Sequence, residues 1–545
     1  MSSRGLRGLP LTILLVWIVV FPIALVVVGS VRGDAGWTLE YLAVFAGERQ
    51  EWGALWNSLW ISVASVLLAA SIGIPLAFVF ERLDFPGRRL LGALVALPAV
   101  LPPLVGVIAF MFLYGESGFV AHAVRVVFGL SEDPWRLRGW GAILLVHAYS
   151  MYVYFYLFAR AGLAKVDSSM IEAAHSLGHG TWGTLRRVTL PLLRPQVNAA
   201  ALLTFMTALG SFSAPYVFGG GFRVMTTQIV TSKLNGDTAM SLVETAALAA
   251  VALIGLVLFK RTDSGRSVAA VGKGIPPAAY ALRLPIARWG AAMVGWSLAI
   301  LLLLPHLTLL LVSFVPVGTW TTQAVPPEYT LANYGTLVAD PVRLKPLVNS
   351  LWMAGVASVA AVALALWVGR VVVQRRVRLR NVIETLTTVP WAVPGTVLAI
   401  ALATAFSVRA PWFGRWVLVG TVVILPLAYV VRNIPIVCGS IIAGFRQLDP
   451  SLDEAAASLG AKRWYTVRRV TIPLLRPAIL AGGALAFATA LGDFVTSIVL
   501  YTYDTRPISI EILSALREFD IGVAAAYGVV LMLISAIAMA VGTKR

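Results

Sequence analysis

Residues 169–195 read SMIEAAHSLGHGTWGTLRRVTLPLLRP, and residues 451–477 read SLDEAAASLGAKRWYTVRRVTIPLLRP. Aligned without a gap, 18 of the 27 positions are identical, so the chain contains a duplicated unit. Each copy opens with Ser-x-x-Glu (Ser169 to Glu172, Ser451 to Glu454), the pattern in which a hydroxyl and a carboxylate cap orphan amides at a helix start. The spacing predicts a short helix there. Ala173, Ala174, Ala455 and Ala456 are small enough for a helix lying close against another surface, and Gly178 and Gly460 let the backbone turn. A second helix comes next, with Trp182, Leu185 and Val188 (Trp464, Val467 and Val470) three apart on one side. Paired arginines, Arg186-Arg187 and Arg468-Arg469, stand beside them, and Pro191 and Pro473 are expected to interrupt the helix. The product is an amphipathic helix-turn-helix, presented twice.

The rest of the chain sets these loops in an apolar background. Of 545 residues 59% are hydrophobic and 12% charged, and the mean hydropathy is +0.84, far more apolar sequence than a water-soluble core can bury. The apolar residues fall into runs near the length of a bilayer-spanning helix, which predicts an all-α polytopic membrane protein in contact with the lipid bilayer. The net charge of +18 sits in short loops between these runs rather than as a basic stripe on a soluble element, so it argues for membrane orientation and against nucleic-acid binding. A single cysteine, Cys438, excludes an intrachain disulfide and a cysteine-cluster metal site, and is expected to be a buried small hydrophobe.

Arg4 and Arg7 precede an uncharged run from Leu9 to Val31, too long for a cleaved signal and without a small-x-small site; it is read as a retained first span. Further spans are expected near 55–80, 90–114, 139–163, 196–220 and 240–260, then near 291–315, 348–372, 383–407, 415–440, 477–501 and 522–542. Twelve helices divide into a first half, 1–260, with its loop at 165–195, and a second half, 291–545, with its loop at 447–477. The Gly-, Pro- and Ser-rich stretch 261–290 reads as a cytoplasmic linker. With both termini and both loops placed in the cytoplasm, inward segments hold about 29 Lys and Arg against about 13 outward, the bias that sets orientation in a bacterial inner membrane.

The duplication extends beyond the loops. Asn57-Ser58-Leu59 recurs as Asn349-Ser350-Leu351, and Pro98 and Pro102 recur as Pro390 and Pro394; Thr207-Ala208-Leu209-Gly210 recurs as Thr489-Ala490-Leu491-Gly492. Six spans per half insert both halves in the same direction, so a pseudo-two-fold axis along the membrane normal is expected, with a pathway between the halves.

Several polar residues invite attention. His175 and His179 are four apart, but Gly178 lies between them and the second copy has Ala457 and Ala461, so loop histidines are favoured over a metal site. His147 and His306 fall inside spans and are expected to hydrogen-bond there. Arg432, in the tenth span, either snorkels toward the cytoplasm, the default reading, or faces a cavity or partner. Asp493 follows Gly492 and aligns with Ser211; both are candidate pathway residues, with a capping or bridging carboxylate as the alternative for Asp493. Ser211-Phe212-Ser213 and Gly219-Gly220-Gly221 mark the outer end of the fifth span as breakable.

Glu-Ala-Ala, a Gly six residues after the Glu, and Leu-Pro or Ile-Pro with the Pro thirteen after the Gly resemble the signature cytoplasmic loop of permease subunits of binding-protein-dependent ABC importers. The resemblance implies that Glu172, Ala173, Ala174, Gly178, Trp182, Arg186 and Pro191, with Glu454, Ala455, Ala456, Gly460, Trp464, Arg468 and Pro473, form two coupling helices seated on an ATPase. It implies two ATPase copies below and a substrate-binding protein on the outer face. No Gly-x4-Gly-Lys-Ser/Thr phosphate loop occurs, so ATP and magnesium are expected on the partner ATPase and no cofactor in this chain. No catalytic or metal-ligating set stands out, and the chain is not expected to be an enzyme. Two transport classes remain: this type I importer permease, fused as one chain, and a secondary transporter with two six-helix repeats, which would have no use for twin docking loops. Double-length permeases resemble the ferric-iron and thiamine branch, and Phe218-Gly219-Gly220-Gly221-Phe222-Arg223 with Thr226-Thr227 is similar to its iron-type members. Polyamine and phosphonate permeases share the loop.

Overall fold

The computed structural model describes residues 8–33, 36–100, 102–116, 118–132, 134–263, 280–281, 284–320, 325–373, 377–407, 417–449 and 451–543. Among these, ten helices are long and apolar enough to cross a membrane. The two remaining expected spans are the third of the second half, which is broken, and the fifth of the first half.

The third spans, expected to be continuous, are bent at their prolines. In the first half Arg88–Leu94 and a single 3-10 turn, Leu97–Val100, lead to Pro103–Tyr114. In the second half Arg380–Trp391 meets Gly395–Phe406 at 107°. A proline cannot donate its amide and forces the preceding residue out of helical geometry, so two prolines four apart unwind the turn between them. The fourth span, Trp140–Leu163, takes up freed carbonyls: Tyr152 donates to the Val95 carbonyl at 2.6 Å and Tyr156 to that of Gly92 at 2.8 Å.

The halves exchange their first helices. Leu11, Leu15, Ile18 and Val19 of Leu9–Gly29 lie in a core made mostly by the second half, with Leu402, Phe406 and Tyr429. Ala292 and Ala299 of Pro285–Val312 lie in a first-half core with Phe80, Leu91 and Tyr152. His306 of the same helix is bonded at Nδ1 to the Tyr149 hydroxyl, 3.1 Å away, which also donates to the Leu302 carbonyl at 2.8 Å. Interior hydrogen bonding is thus the role of His306. Cys438 is buried, as its reading required.

The linker is shorter than expected at both ends: the sixth helix runs to Asp263 and the seventh starts at Pro285. Tyr280 and Ala281 pair in parallel with Leu83 and Asp84 beyond the second span, Arg49–Arg82. Residues 264–279 and 282–283 of the linker lie outside the described residues.

Candidate functional site

Each loop starts with a helix, Ser168–Ser176 and Ser451–Ser458, but the cap differs from the expected one. Asp167 accepts from the Ser169 amide at 3.0 Å, and Asp449 accepts from the Ser451 amide at 2.9 Å. The residue two positions before each serine is the cap, and the exposed Glu172 is not part of it. The side chain of Glu454 lies outside the described residues. The Asp449 carboxyl, held by that amide hydrogen bond, stays below the usual carboxylate range.

Both helices end identically. The Gly178 amide donates to the His175 carbonyl at 2.9 Å and the His179 amide to Ala174 at 3.0 Å; Gly460 to Ala457 and Ala461 to Ala456 repeat the two distances. This is the Schellman closure, and its left-handed residue is Gly178 with φ +83° and Gly460 with φ +76°. His175 is exposed and the turn separates it from His179.

Pro191 and Pro473 do not interrupt the second helix of each loop. A π-turn, Leu185–Thr189 or Val467–Thr471, precedes each proline, with the amide of Leu190 or Ile472 donating five residues back to Leu185 or Val467. The widened turn makes room for the proline ring, and the helix continues into the fifth span as Leu190–Leu209 and Ile472–Leu491. Arg186 and Arg468 lie on the π-turns and are exposed. Ala173 and Ala455 are exposed, Ala174 is buried and Ala456 half-buried. Leu177 and Trp182, with their equivalents Leu459 and Trp464, are 72–87% exposed, an apolar rim on each loop that none of the described residues covers. A groove of about 300 Å³ runs beside the first loop, between Ile171, His175 and Leu185 and the second span's Phe78, Val79 and Arg82.

At its far end the fifth span, expected to run to 220 and 501, stops at Leu209 and Leu491 and resumes as the short helices Ser213–Phe218 and Val495–Leu500. The breaks are held by different chemistry. In the first half His147, fully buried, bridges the hydroxyls of Ser65 and Ser211 at 2.8 Å each, and Thr226 donates to the Ser211 carbonyl at 2.7 Å. In the second half Asp493 Oδ1 accepts from the Thr496 amide at 2.8 Å, while Oδ2 lies 3.1 Å from Arg432 Nε and 3.2 Å from the Thr496 hydroxyl. Asp493 therefore caps a helix and bridges to the tenth span, and Arg432 has this partner rather than snorkelling.

Between the breaks the halves meet. Phe212 and Phe494 occupy equivalent positions, are 1% and 2% exposed, and place their rings 5.6 Å apart. Tyr216 stacks on Phe212 at 5.1 Å and accepts a hydrogen bond from Arg517 of the other half. Gly492 lies so near Pro102 that a Cβ would come within 2.5 Å of it, and Gly210 faces Pro394, where a Cβ would sit at 3.5 Å. Each half's fifth-span break thus rests on the other half's third-span break, as a two-fold axis between them requires. No motif singles out the aromatic pair in the sequence, although the offset that relates Gly210 to Gly492 also relates Phe212 to Phe494.

Two homologous six-helix halves, a buried seam between them and twin exposed loops define a polytopic membrane-transport permease of double length. The chain belongs to the family described as binding-protein-dependent transport system inner membrane component, which matches residues 69–268 and 361–543. It is 32% identical over 501 residues to a probable ABC transporter permease protein, y4fN, of Sinorhizobium fredii, covering 91% of this chain and 87% of that one. It is 26% identical over 534 residues to the ferric transport system permease protein FbpB of Actinobacillus pleuropneumoniae, covering 96% and 76%. To the thiamine transport system permease protein ThiP of Escherichia coli it is 27% identical over 473 residues, covering 82% of each. The chain is accordingly a multi-pass inner-membrane component that works with an ATPase and a binding protein, the ATPase being a separate subunit. Family membership removes the secondary-transporter alternative.

Proposed function

We propose that this permease imports ferric iron delivered by a binding protein, using two copies of one ATPase, one on each loop. The observation that supports two like partners is the identity of the loops in cap, Schellman closure, π-turn and exposed Leu-Trp rim. Glu172, Ala173, Ala174, Gly178, Trp182, Arg186 and Pro191, with their equivalents Glu454 to Pro473, are the coupling residues in this reading. Both loops and both termini face the cytoplasm, and ATP with magnesium resides on the ATPase. The iron assignment rests on similarity to FbpB over nearly the whole chain; thiamine is the alternative that ThiP favours, and polyamine or phosphonate cargo rests on the loop alone.

Transport is then an exchange between two arrangements of the same helices. With the aromatic pair Phe212–Phe494 closed, Ser211 and Asp493 flank a seam sealed toward the side opposite the loops. Closing the ATPase dimer brings the loops together and opens that seam to the docked binding protein; hydrolysis reverses the change. The test is ATP hydrolysis by the reconstituted complex with its binding protein loaded with ferric iron or with thiamine. Stimulation by the iron-loaded form alone supports the assignment, and stimulation by the thiamine-loaded form alone overturns it. A cysteine at Thr181, with Cys438→Ser, should react with an impermeant thiol reagent only from the ATPase side; labelling from the other side overturns the orientation.

A further inference from the structure

Glu51, near the start of the second span, is 3% exposed, and Glu244, in the sixth, is fully buried. Their carboxyl groups lie within hydrogen-bonding reach of each other, at the end of the first half away from the loops. One oxygen of each is satisfied: Gln228 donates to Glu51 Oε1 at 2.9 Å and Ser232 donates to Glu244 Oε1 at 2.7 Å. The other oxygen of each, Oε2, is buried with no hydrogen-bond partner among the described residues. Two carboxylates stripped of water repel, and their unsatisfied oxygens carry the full cost of burial unless something sits between them.

The charges that reach the pair from adjoining elements are Glu48, ahead of the second span, and Arg223, ahead of the helix Met225–Leu234. They are opposite in sign and leave the pair uncompensated. On the same elements Glu40, Arg49 and Asp237 are exposed and Lys233 is half-buried; the packed segment Gly395–Phe406 has no titratable side chain. The second half solves the same problem with an ion pair. The position equivalent to Glu51 is Arg343, which binds Asp520 at 3.1 Å, and the position equivalent to Glu244 is Tyr527, whose hydroxyl donates to the Arg343 carbonyl.

We infer that Glu51 and Glu244 bind one proton between them, and that this proton keeps their corner of the first half closed. A carboxyl donating to a carboxylate satisfies both orphan oxygens with a single added atom. A metal ion would need a fuller oxygen shell than these two atoms supply, since Gln228 turns its amide NH2 toward the site. The corner matters because Met225–Leu234 is a strut. Gln228 and Ser232 tie it to the proton pair, the Met225 amide donates to Ser58 at 2.7 Å, and Thr226 holds the Ser211 carbonyl beside the aromatic seam. Loss of the proton sets two like charges against each other and frees the strut; Arg343–Asp520 leaves the other half indifferent to it.

The test uses the full permease in nanodiscs. At neutral pH its infrared spectrum should contain a protonated-carboxyl band that is absent from the double variant Glu51→Gln, Glu244→Gln, whose amides mimic the protonated pair. A cysteine replacing the buried Ile229 on the strut, with Cys438→Ser, reports opening. Its labelling at alkaline pH should be several-fold faster than the same cysteine in the double variant, and E244Q alone should reduce the difference. Absence of the band, its survival in the double variant, or equal labelling with and without the carboxyls overturns the proposal. Acceleration by a chelator at constant pH, abolished in the double variant, also overturns it and assigns a metal instead.

Discussion

Arg432 Nε lies 3.1 Å from Asp493 Oδ2, and the two side chains differ sharply in exposure, 37% for the arginine and 2% for the aspartate. The carboxylate is spent on the Thr496 amide, the Thr496 hydroxyl and the guanidinium, so Asp493 holds the eleventh-span break to the tenth span. Asp493→Asn keeps a carbonyl for the Thr496 amide and should assemble normally. Asp493→Leu strands the guanidinium and should cost about 3 kcal/mol, the lower end of the range for a broken buried pair because Arg432 is partly exposed. Thermal unfolding of the purified complex measures both, and adding Arg432→Met to Asp493→Leu should restore much of the loss.

The caps make a separate prediction. Asp167→Ala should destabilise Ser168–Ser176 by roughly 0.5–2 kcal/mol, while Glu172→Ala should not. Amide hydrogen exchange of that helix distinguishes them. The second copy adds a pH dependence with a definite sign. Because the Asp449 carboxyl is held below its ordinary value of 3.8, its contribution is complete above that value and is lost as pH falls through the lower folded one. The protection of Ser451–Ser458 against exchange, relative to the free-chain rate at the same pH, should therefore fall only in acid.

Gly178 and Gly460 face open space, so a Cβ there meets no atom of the described residues within 4 Å. The penalty is conformational: left-handed backbone costs an L-residue about 1–2 kcal/mol, more when β-branched. Gly178→Val with Gly460→Val should misdirect both loops and weaken ATPase retention during purification, whereas Gly178→Asn should be tolerated. Full retention in the double valine variant would disprove docking through these loops.

The aromatic seam predicts leakage. Phe212→Ala or Phe494→Ala removes a pair worth roughly 0.5–1.5 kcal/mol beyond burial and should raise basal ATP hydrolysis without the binding protein. Since both substitutions break one contact, the double variant should fall short of the sum. Basal ATPase rates of the three reconstituted variants check this.

The duplicated loops are legible because each element obeys a local rule: a left-handed glycine ends a helix, and alternating apolar and basic residues mark an amphipathic one. The cap is not, because Asp167 and Ser169, like Asp449 and Ser451, are both good capping residues, and only the path of the backbone chooses between them. Pro191 reads as a stop because local sterics say so; the π-turn that accommodates it depends on a hydrogen bond five residues long that no periodicity announces. Pro98 and Pro102 are visible as repeat markers, yet their bend needs Tyr152 and Tyr156, some sixty residues away, to satisfy the carbonyls it frees. A similar distance hides Arg432 from Asp493, and a separation about three times as long hides Glu51 from Glu244.

The π-turns have a mechanical consequence. Because Arg463–Thr466, the π-turn and Ile472–Leu491 form one uninterrupted helix, the second loop is the handle of a rod about 43 Å long at 1.5 Å per residue. Its far end is Gly492, two residues from Phe494 and wedged on Pro102. A tilt of about 5° at the handle sweeps that tip by nearly 4 Å, by the same geometry. Torque applied at the membrane surface thus arrives at the seam as a stroke the size of an atom's diameter, carried by a helix that stays continuous between them.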